Sequence, residues 1–214
     1  MRFAYLRAGL RYAAVLAITI FGVAILYISC AGNTEEKTLE FFRALEAGDS
    51  AKAQTLLKYI DLTATDARAG LTPLHWAVLS GDGELAVLML DRILKDADGA
   101  PPALLDARDA HGFTPLMWAA GGGNLAALEA LVPAGADLDL QSPSGNTALH
   151  YAIASARPIA KRAAQRLLEA GANTRIQNNN GEDAFAFARA RARPDMLEIL
   201  AAAKEPAEVG GDAR

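Results

Sequence analysis

Three histidines are the residues best suited to acid–base chemistry in this chain. His75, His111 and His150 carry imidazoles that exchange protons near neutral pH. An enzyme would also need a nucleophile, or a second acid or base, paired with one of them. No such pairing is recognisable in the sequence, and no residues at metal-ligand spacing surround His111. We therefore expect no catalytic residues and no metal site.

Acidic residues and glycines suggest two further chemistries, calcium binding and phosphate binding. The run of glycines at 121–123 lacks the preceding strand and the following Lys-Ser of a phosphate-binding loop, so we expect it to end a helix. Five aspartates lack the alternating spacing of a calcium-binding loop, and we expect them to lie in solvated loops: Asp91, Asp96, Asp98, Asp106 and Asp109. Neither pattern predicts a cofactor.

The composition is that of an ordinary globular chain with one modest domain. Its 214 residues are 52% hydrophobic, with a net charge of −4 and a single cysteine. One cysteine excludes an internal disulfide, and the acidic balance argues against nucleic acid as a partner. No feature indicates a small-molecule substrate.

The first 30 residues have the pattern of an export or anchoring segment. Arg2, Arg7 and Arg11 precede an apolar run at residues 13–29, and Glu35 and Glu36 follow it. Basic residues before the apolar run predict a cytoplasmic N-terminus, with the rest of the chain across the membrane. We expect residues 1–32 to be a signal sequence, a lipoprotein signal or a transmembrane anchor. The protein would then lie on the periplasmic side of the inner membrane of a bacterium.

Three fates of this segment stay open. The apolar run has 17 residues, the short limit for a spanning helix, which allows an uncleaved signal anchor. Residues 26–30 resemble a bacterial lipoprotein signal in which Cys30 is lipidated, although Tyr27 stands where that family usually has Leu. Ser29 and Ala31 also have the small-x-small form of an ordinary cleavage site. Of these fates, membrane attachment is favoured over release.

One eight-residue phrase recurs along the rest of the chain. It reads GLTPLHWA at 70–77, GFTPLMWA at 112–119 and GNTALHYA at 145–152, with a degenerate copy, GEDAFAFA, at 181–188. Residues 41–49 match residues 74–82 at an offset of 33, and the leading glycines are 42, 33 and 36 residues apart. Single units of this size cannot bury an apolar face alone, so the pattern predicts stacked repeats.

The phrase and its spacing resemble the ankyrin repeat, which has a period of 33 residues and a T-P-L-H-x-A signature. Second-half segments also recur, LVPAGAD at 131–137 and LLEAGAN at 167–173. The resemblance implies an all-α solenoid of about five helix–turn–helix units with connecting β-turns. We expect this domain at 33–204, with units at about 34–66, 67–108, 109–141, 142–177 and 178–204, and a flexible tail at 205–214.

Local signals agree with this architecture. Thr72 and Thr114 are good helix N-caps, and Pro73 and Pro115 suit the first helical position, where no amide donor is lost. The glycine that begins each phrase suits a turn that needs a positive φ.

The resemblance also implies structural roles for most of the candidate chemistry. His75 and His150 occupy the position that ties adjacent units together by hydrogen bonds, and Met117 interrupts that series. Trp76, Trp118 and Tyr151 share the next position, and we expect them to form a stacked, buried column.

In ankyrin-like domains a partner binds the concave surface formed by turn tips and inner helices. Leu71 and Phe113 fall at a variable, usually outward-facing position, where two large apolar residues would form an adhesive patch. The alternative is that both pack on neighbouring turns. The remaining candidates, carried over position by position, are Arg68, Leu79, Ser80, His111, Ser144, Asn146, Ser155, Asn180, Glu182 and Arg191.

Two further features are open to either a functional or a neutral interpretation. The second unit is nine residues longer than the period, with the excess at residues 91–105 in an outer loop. Charge is also uneven, because residues 31–110 hold 8 basic and 14 acidic residues whereas residues 157–193 hold 8 basic and 3 acidic ones. The basic region would dock an acidic protein or anionic lipid, or simply be a solvated face.

These observations predict a non-catalytic interaction module, tethered to a membrane and facing the periplasm, that binds a protein partner through its concave face. The alternative is an immunity protein that neutralises a toxin or secreted hydrolase acting in the periplasm.

Overall fold

A computed structural model describes residues 33–96 and 103–203 of the chain. Residues 1–32, which we expect to be a signal or an anchor and which include Cys30, and the tail at 205–214 lie outside the described residues. Among the described residues, no helix is long and apolar enough to cross a membrane.

The described residues form helices joined by turns, without strands. The first helix, α1, covers residues 33–46 of the described chain. The others are α2 (Ser50–Leu56, continued by a 3₁₀ turn at Leu57–Tyr59), α3 (Pro73–Leu79), α4 (Gly83–Asp96), α5 (Pro115–Gly122), α6 (Leu125–Leu131), α7 (Ala148–Ala154), α8 (Ala160–Glu169), α9 (Ala184–Ala190) and α10 (Pro194–Ala203).

Consecutive helices pair into five antiparallel units that stack in two rows. In the inner row α3 packs on α5, α5 on α7, and α7 on α9, while in the outer row α2, α4, α6, α8 and α10 follow one another. The interface between rows and between units is one continuous apolar core, with Leu74, Leu116 and Leu149 of the inner helices almost completely buried. Each unit therefore buries its apolar surface against its neighbours.

The inner helices begin where the sequence predicts. Thr72 and Thr114 are N-caps whose hydroxyls accept from the backbone N–H groups of His75 and Met117, and Pro73 and Pro115 occupy the first helical positions. The glycine run ends α5 as expected, because Gly123 has φ of 79° at the C-cap. Asp183 replaces the threonine cap in the last unit and accepts from the N–H of Ala186.

The first unit has no turn of its own among the described residues. By the offset of 33, its inner helix would begin near residue 40, but α1 is already helical at residue 33. The Thr38 hydroxyl instead accepts from the backbone N–H of Asp61 at 2.9 Å, which ties this extension to the chain leaving the outer helix.

The extra length of the second unit is partly helical. The prediction placed it in an outer loop, but α4 has 14 residues where α6 has seven. The added turns pack on the first unit, because the Arg92 guanidinium donates to the carbonyl oxygens of Leu57 and Ile60. This contact extends the outer row at the N-terminal end of the stack.

Candidate protein-binding surface

In three of the four repeat phrases an aromatic residue joins the inner helix to the turn before it. Trp76 Nε1 donates to Asp66 at 3.0 Å, and Trp118 Nε1 donates to Asp109 at 2.9 Å. In the fourth unit the Tyr151 hydroxyl lies 2.9 Å from the hydroxyl of Ser142. The turns, together with the side of the inner helices α3, α5 and α7 that carries these aromatic residues, therefore form one surface. We call it the groove face.

Asp109 holds its turn in place. Its carboxylate accepts from the backbone N–H groups of His111 and Phe113, both at 2.9 Å, in addition to the Trp118 indole. The side chain is buried, so the prediction of a solvated loop was wrong for this aspartate. A sequence signal existed, since two units carry an aspartate three or four residues before the turn glycine.

Asp66 has the same role in the second unit. Burial alone would raise the pKa of this carboxyl, but hydrogen bonds from the N–H groups of Ala69 and Leu71 and from the Trp76 indole lower it below its ordinary value. The ionised form is therefore stabilised by the fold. In the last turn, Asn178 Oδ1 accepts from the N–H groups of Asn180 and Glu182 in the equivalent way.

The two predicted histidine contacts between units are present. His75 Nε2 lies 3.1 Å from the carbonyl oxygen of Phe113, and His150 Nε2 lies 3.2 Å from that of Glu182. Since a carbonyl only accepts, each Nε2 carries the proton and donates. Each Nδ1 then accepts from the preceding N-cap threonine, Thr72 or Thr147.

Both nitrogens of each imidazole are therefore hydrogen-bonded, and both rings are neutral. Burial lowers the pKa of His75 and of His150 below the ordinary value. Neither ring has a free nitrogen for a general base, because one nitrogen donates across the unit boundary and the other accepts within its own unit. Met117 takes the same position in the third unit, as the sequence predicts, and provides no polar contact there.

Neighbouring turns are also linked directly by the backbone. The Ala110 N–H donates to Ala69 O at 2.8 Å, and the Asn179 N–H donates to Ser144 O at 3.0 Å. Side chains add bridges, such as Arg108 Nη1 to Gln141 O at 2.8 Å. The turn wall of the groove face is therefore continuous and pre-organised.

Leu71 and Phe113 do not form an outward adhesive patch. Leu71 is only 7% exposed, so the alternative of packing on neighbours describes it. Phe113 is half-buried between two rings, with centroids 5.3 Å from Trp118 and 5.2 Å from Tyr151. The position between the turn glycine and the cap threonine is predicted to face outward from the repeat alignment. In the structure each turn places it against the aromatic residues of the inner helices.

Three other candidates hold the repeats together. Ser155 is buried and its hydroxyl donates to Gly121 O at 3.1 Å in the preceding unit. Asn146 Oδ1 accepts from Asn178 Nδ2 at 3.0 Å, and Glu182 accepts from the same amide at 3.1 Å. These half-buried or buried groups belong mainly to the contacts between units.

The remaining candidates are exposed on the groove face. Helical periodicity places Leu79 and Ser80 three and four residues after Trp76, on the same side of α3. Leu79 is 40% exposed, one of the few large apolar side chains to be so. Arg191 lies over the Phe187 ring at 3.2 Å in the last unit. The exposed candidates in the turns are Arg68, His111, Ser144 and Asn180.

The aromatic column is less buried than expected. Trp76, Trp118 and Tyr151 are each half-buried, because one ring edge packs on the core and the other lies along the groove face. Their polar atoms are already paired with the turns, so they contribute apolar surface to the groove.

A cavity of about 450 Å³ opens at the N-terminal end of the groove face. It lies between α1 and residues 61–68, where a turn of the first unit would otherwise sit. Its lining is mostly apolar, with Leu39 and Phe42 on the helix, and Arg43 and Arg68 at its edge. Leu39 is 50% exposed there.

No group of three or more histidine, cysteine or acidic side chains could hold a metal ion among residues 33–96 and 103–203. Every buried side-chain nitrogen and oxygen in this part of the chain has a hydrogen-bond partner.

Comparison with protein families gives a match to a model described as ankyrin repeats in three copies. It covers residues 41–142 and, in a second overlapping match, residues 92–162. The matched region contains the groove face from the first unit to the start of the fourth outer helix.

Proposed function

Because the chain belongs to the ankyrin repeat family, we propose that it is an interaction module without catalytic activity of its own, which binds a protein partner through its groove face. Ankyrin repeats generally mediate protein–protein interaction. The observation that carries the proposal for this surface is the exposure of Leu79 beside a row of half-buried aromatic residues. An apolar side chain next to rigid, pre-organised turns is the type of anchor that interfaces use.

We further propose that residues 1–32 anchor the module to a membrane on its periplasmic side. The support is in the sequence, where Arg2, Arg7 and Arg11 precede the apolar run at 13–29 and acids follow it. Cys30 at the end of that run supports lipidation as the means of attachment, and an uncleaved signal anchor is the alternative.

The groove face is tested by a matched pair of substitutions. Leu79 is 40% exposed on the inner helix α3, and Leu88 is 38% exposed on the outer helix α4. Leu79→Asp and Leu88→Asp therefore place the same charge at equally exposed sites on opposite sides of one unit. Affinity purification of each tagged full chain from solubilised envelope, with mass spectrometry, compares their companions.

We expect one or more proteins to copurify with the wild type and with Leu88→Asp but not with Leu79→Asp. A companion lost only with Leu88→Asp would contradict the assignment of the groove face. If the companion is a secreted toxin or hydrolase bound in a tight complex, the protein is an immunity factor. A resident envelope protein would indicate an adaptor.

The same sample tests the anchor. A lipid-modified peptide beginning at Cys30 would establish a lipoprotein, and an intact peptide containing Met1 would establish a signal anchor. An unmodified N-terminus beginning within residues 30–32, in protein recovered from the soluble fraction, would contradict anchoring.

A further inference from the structure

The basic residues of the last two units divide into paired and unpaired groups. Arg193 is structural, because its guanidinium donates to Ile153 O and Ser155 O and forms an ion pair with Asp195. Arg162 and Arg166 pair with acids on the outer helices at 3.2 Å and 2.6 Å. In the described part of the chain, no acid lies within 4.0 Å of the cationic groups of Arg157, Lys161 or Arg189.

The unpaired cations lie in neighbouring loops. Each unit has a loop where its inner helix passes into its outer helix, and we call the row of these five loops the loop edge. It consists of residues 46–50, 80–84, 121–124, 155–161 and 189–193. Arg193 fastens the fifth loop to the end of α7, so the fourth and fifth loops form one surface.

The fourth loop is built to present Arg157. It has five residues between α7 and α8, whereas two residues separate α5 and α6. A side chain at Gly123 would lie 2.5 Å from Arg157 Cδ, so the stem of the arginine occupies the space that this glycine leaves open. The stem of Arg157 therefore lies against the third unit, and the residue remains exposed.

Charge changes sign along the loop edge. The first two loops carry only acids, Glu46, Asp49, Asp82 and Glu84, and the third loop is uncharged. The fourth and fifth loops with the adjoining helix ends carry five bases, Arg157, Lys161, Arg189, Arg191 and Arg193. Their one acid is Asp195, the second residue of α10, which pairs with Arg193. The loop edge is therefore dipolar along the stack, and Leu79 lies at its acidic end next to the groove face.

This polarity decides the class of partner. A lipid bilayer or a nucleic acid is negative along its whole length, so the first two units would repel it while the last two attract it. A protein segment can carry opposite charges at its two ends and satisfy both halves of the edge at once.

Resting on the proposed function, we propose that the partner presents a dipolar segment that lies along the loop edge. Its acidic end contacts Arg157 and Lys161, and its basic end contacts the loops of the first two units. Beside its basic end, an apolar side chain packs on Leu79. Arg157 and Lys161 then gain a carboxylate within 4.0 Å, which no acid of residues 33–96 and 103–203 gives them.

The test uses phage-displayed random 15-residue peptides, selected on the full chain in non-ionic detergent. We expect the enriched peptides to carry an acidic cluster at one end and, at the other, a basic cluster with an apolar residue beside it. Synthetic versions should bind about tenfold more weakly to the double variant Arg157→Glu, Lys161→Glu, because attraction is replaced by repulsion. Replacing the acidic cluster by lysines should restore binding to this variant.

The matched control is the double variant Arg162→Glu, Arg175→Glu, which introduces the same charge change outside the loop edge. These side chains are exposed, so we expect the fold to persist in all variants. Circular dichroism melting checks this. Selected peptides without an acidic cluster, or with equal affinity for both double variants, would overturn the inference.

The outcomes separate this inference from the proposed function. If non-acidic peptides are selected and lose binding with Leu79→Asp, the groove face remains the binding surface and only the dipolar segment is wrong. If no peptide is selected, the dipolar segment is also rejected. Head-to-tail dimers, seen by light scattering and abolished by the Arg157→Glu, Lys161→Glu variant, would instead assign the loop edge to self-association.

Discussion

Gly145 and Asn179 approach so closely that no side chain fits between them. A Cβ built on Gly145 would lie 2.6 Å from both the backbone nitrogen and the side-chain Oδ1 of Asn179. This contact accompanies the hydrogen bond from the Asn179 N–H to Ser144 O. The spacing between the fourth and fifth turns therefore depends on the absence of a side chain at position 145.

The first prediction compares this glycine with the equivalent one in the last unit. Gly145 and Gly181 have nearly the same φ, 77° and 75°, but nothing lies within 4 Å of a Cβ at Gly181. Gly181→Ala should lower the free energy of unfolding by about 1 to 2 kcal/mol, the strain of a left-handed alanine. Gly145→Ala should lower it by about 1 to 3 kcal/mol more, because the neighbouring turn must move.

Urea denaturation followed by circular dichroism measures both values. Since backbone strain is the same in the two variants, the difference isolates the close approach between turns. Equal losses would show that the last turn moves aside at no cost.

The second prediction concerns pH. Burial lowers the pKa of His75 and of His150 below the ordinary histidine value. Between the folded and unfolded pKa values the unfolded chain binds more protons, so unfolding is favoured as pH falls. The free energy of unfolding should be constant just above pH 7 and should decrease below about pH 6.5.

His75→Met should remove part of this pH dependence while also lowering stability at pH 7.5. Methionine is the residue that the third unit already carries at this position, so it fits the site in shape. The exposed His111→Gln variant is the control. Denaturation of each protein at pH 7.5 and pH 5.5 gives the change in its free energy of unfolding between the two pH values. If this change is the same in His75→Met as in the wild type, the assignment of a buried, neutral imidazole is contradicted.

The third prediction concerns the hydrogen bond between units that Met117 does not provide. In the other units the imidazole donates to the residue before the next N-cap, so a histidine at Met117 would reach the carbonyl of Asn146. Met117→His should raise the free energy of unfolding by about 0.5 to 1.5 kcal/mol at pH 7.5, the usual net contribution of one hydrogen bond. Thermal melting measures it, and a lower melting temperature would indicate that the buried site cannot accept the polar ring.

The fourth prediction tests the aspartate of the third turn. Asp109→Asn keeps the shape of the side chain but loses its charge and gives one end an amide. If the side-chain oxygen of the asparagine accepts from the backbone N–H groups of His111 and Phe113, its NH₂ group faces the indole N–H of Trp118. Two donors then face each other, and that hydrogen bond is lost. We expect a loss of about 2 kcal/mol in the free energy of unfolding, because these are hydrogen bonds to a charged group.

Asp91→Asn is the control for Asp109→Asn, since Asp91 is exposed on α4 and pairs only with Lys95. It should change stability by less than about 0.5 kcal/mol. Tryptophan fluorescence reports the local environment of Trp118 in the same experiment. An Asp109→Asn variant as stable as the control would show that water replaces the lost contacts.

The sequence by itself determined the repeated unit and its helix starts. The phrase around Thr72, Thr114 and Thr147 contains the N-cap, the first helical turn and the buried face within eight residues. Helix capping depends on residues three apart, so it is visible in the local sequence. The contacts of His75 and His150 between units were also predictable, because every unit repeats the same geometry with its neighbour.

Only the tertiary structure decided which of the candidate side chains are buried and which are exposed on the groove face. Leu71 and Phe113 are equivalent to outward positions in sequence, but the close stacking of turns folds Leu71 inward and places Phe113 between two rings. The role of Asp109 was missed although its three donors, the N–H groups of His111 and Phe113 and the Trp118 indole, are close in sequence. The signal was the aspartate that precedes the turn glycine in two units. Burial and ion pairing depend on chain segments about 30 to 40 residues apart, and a local pattern does not contain that distance information.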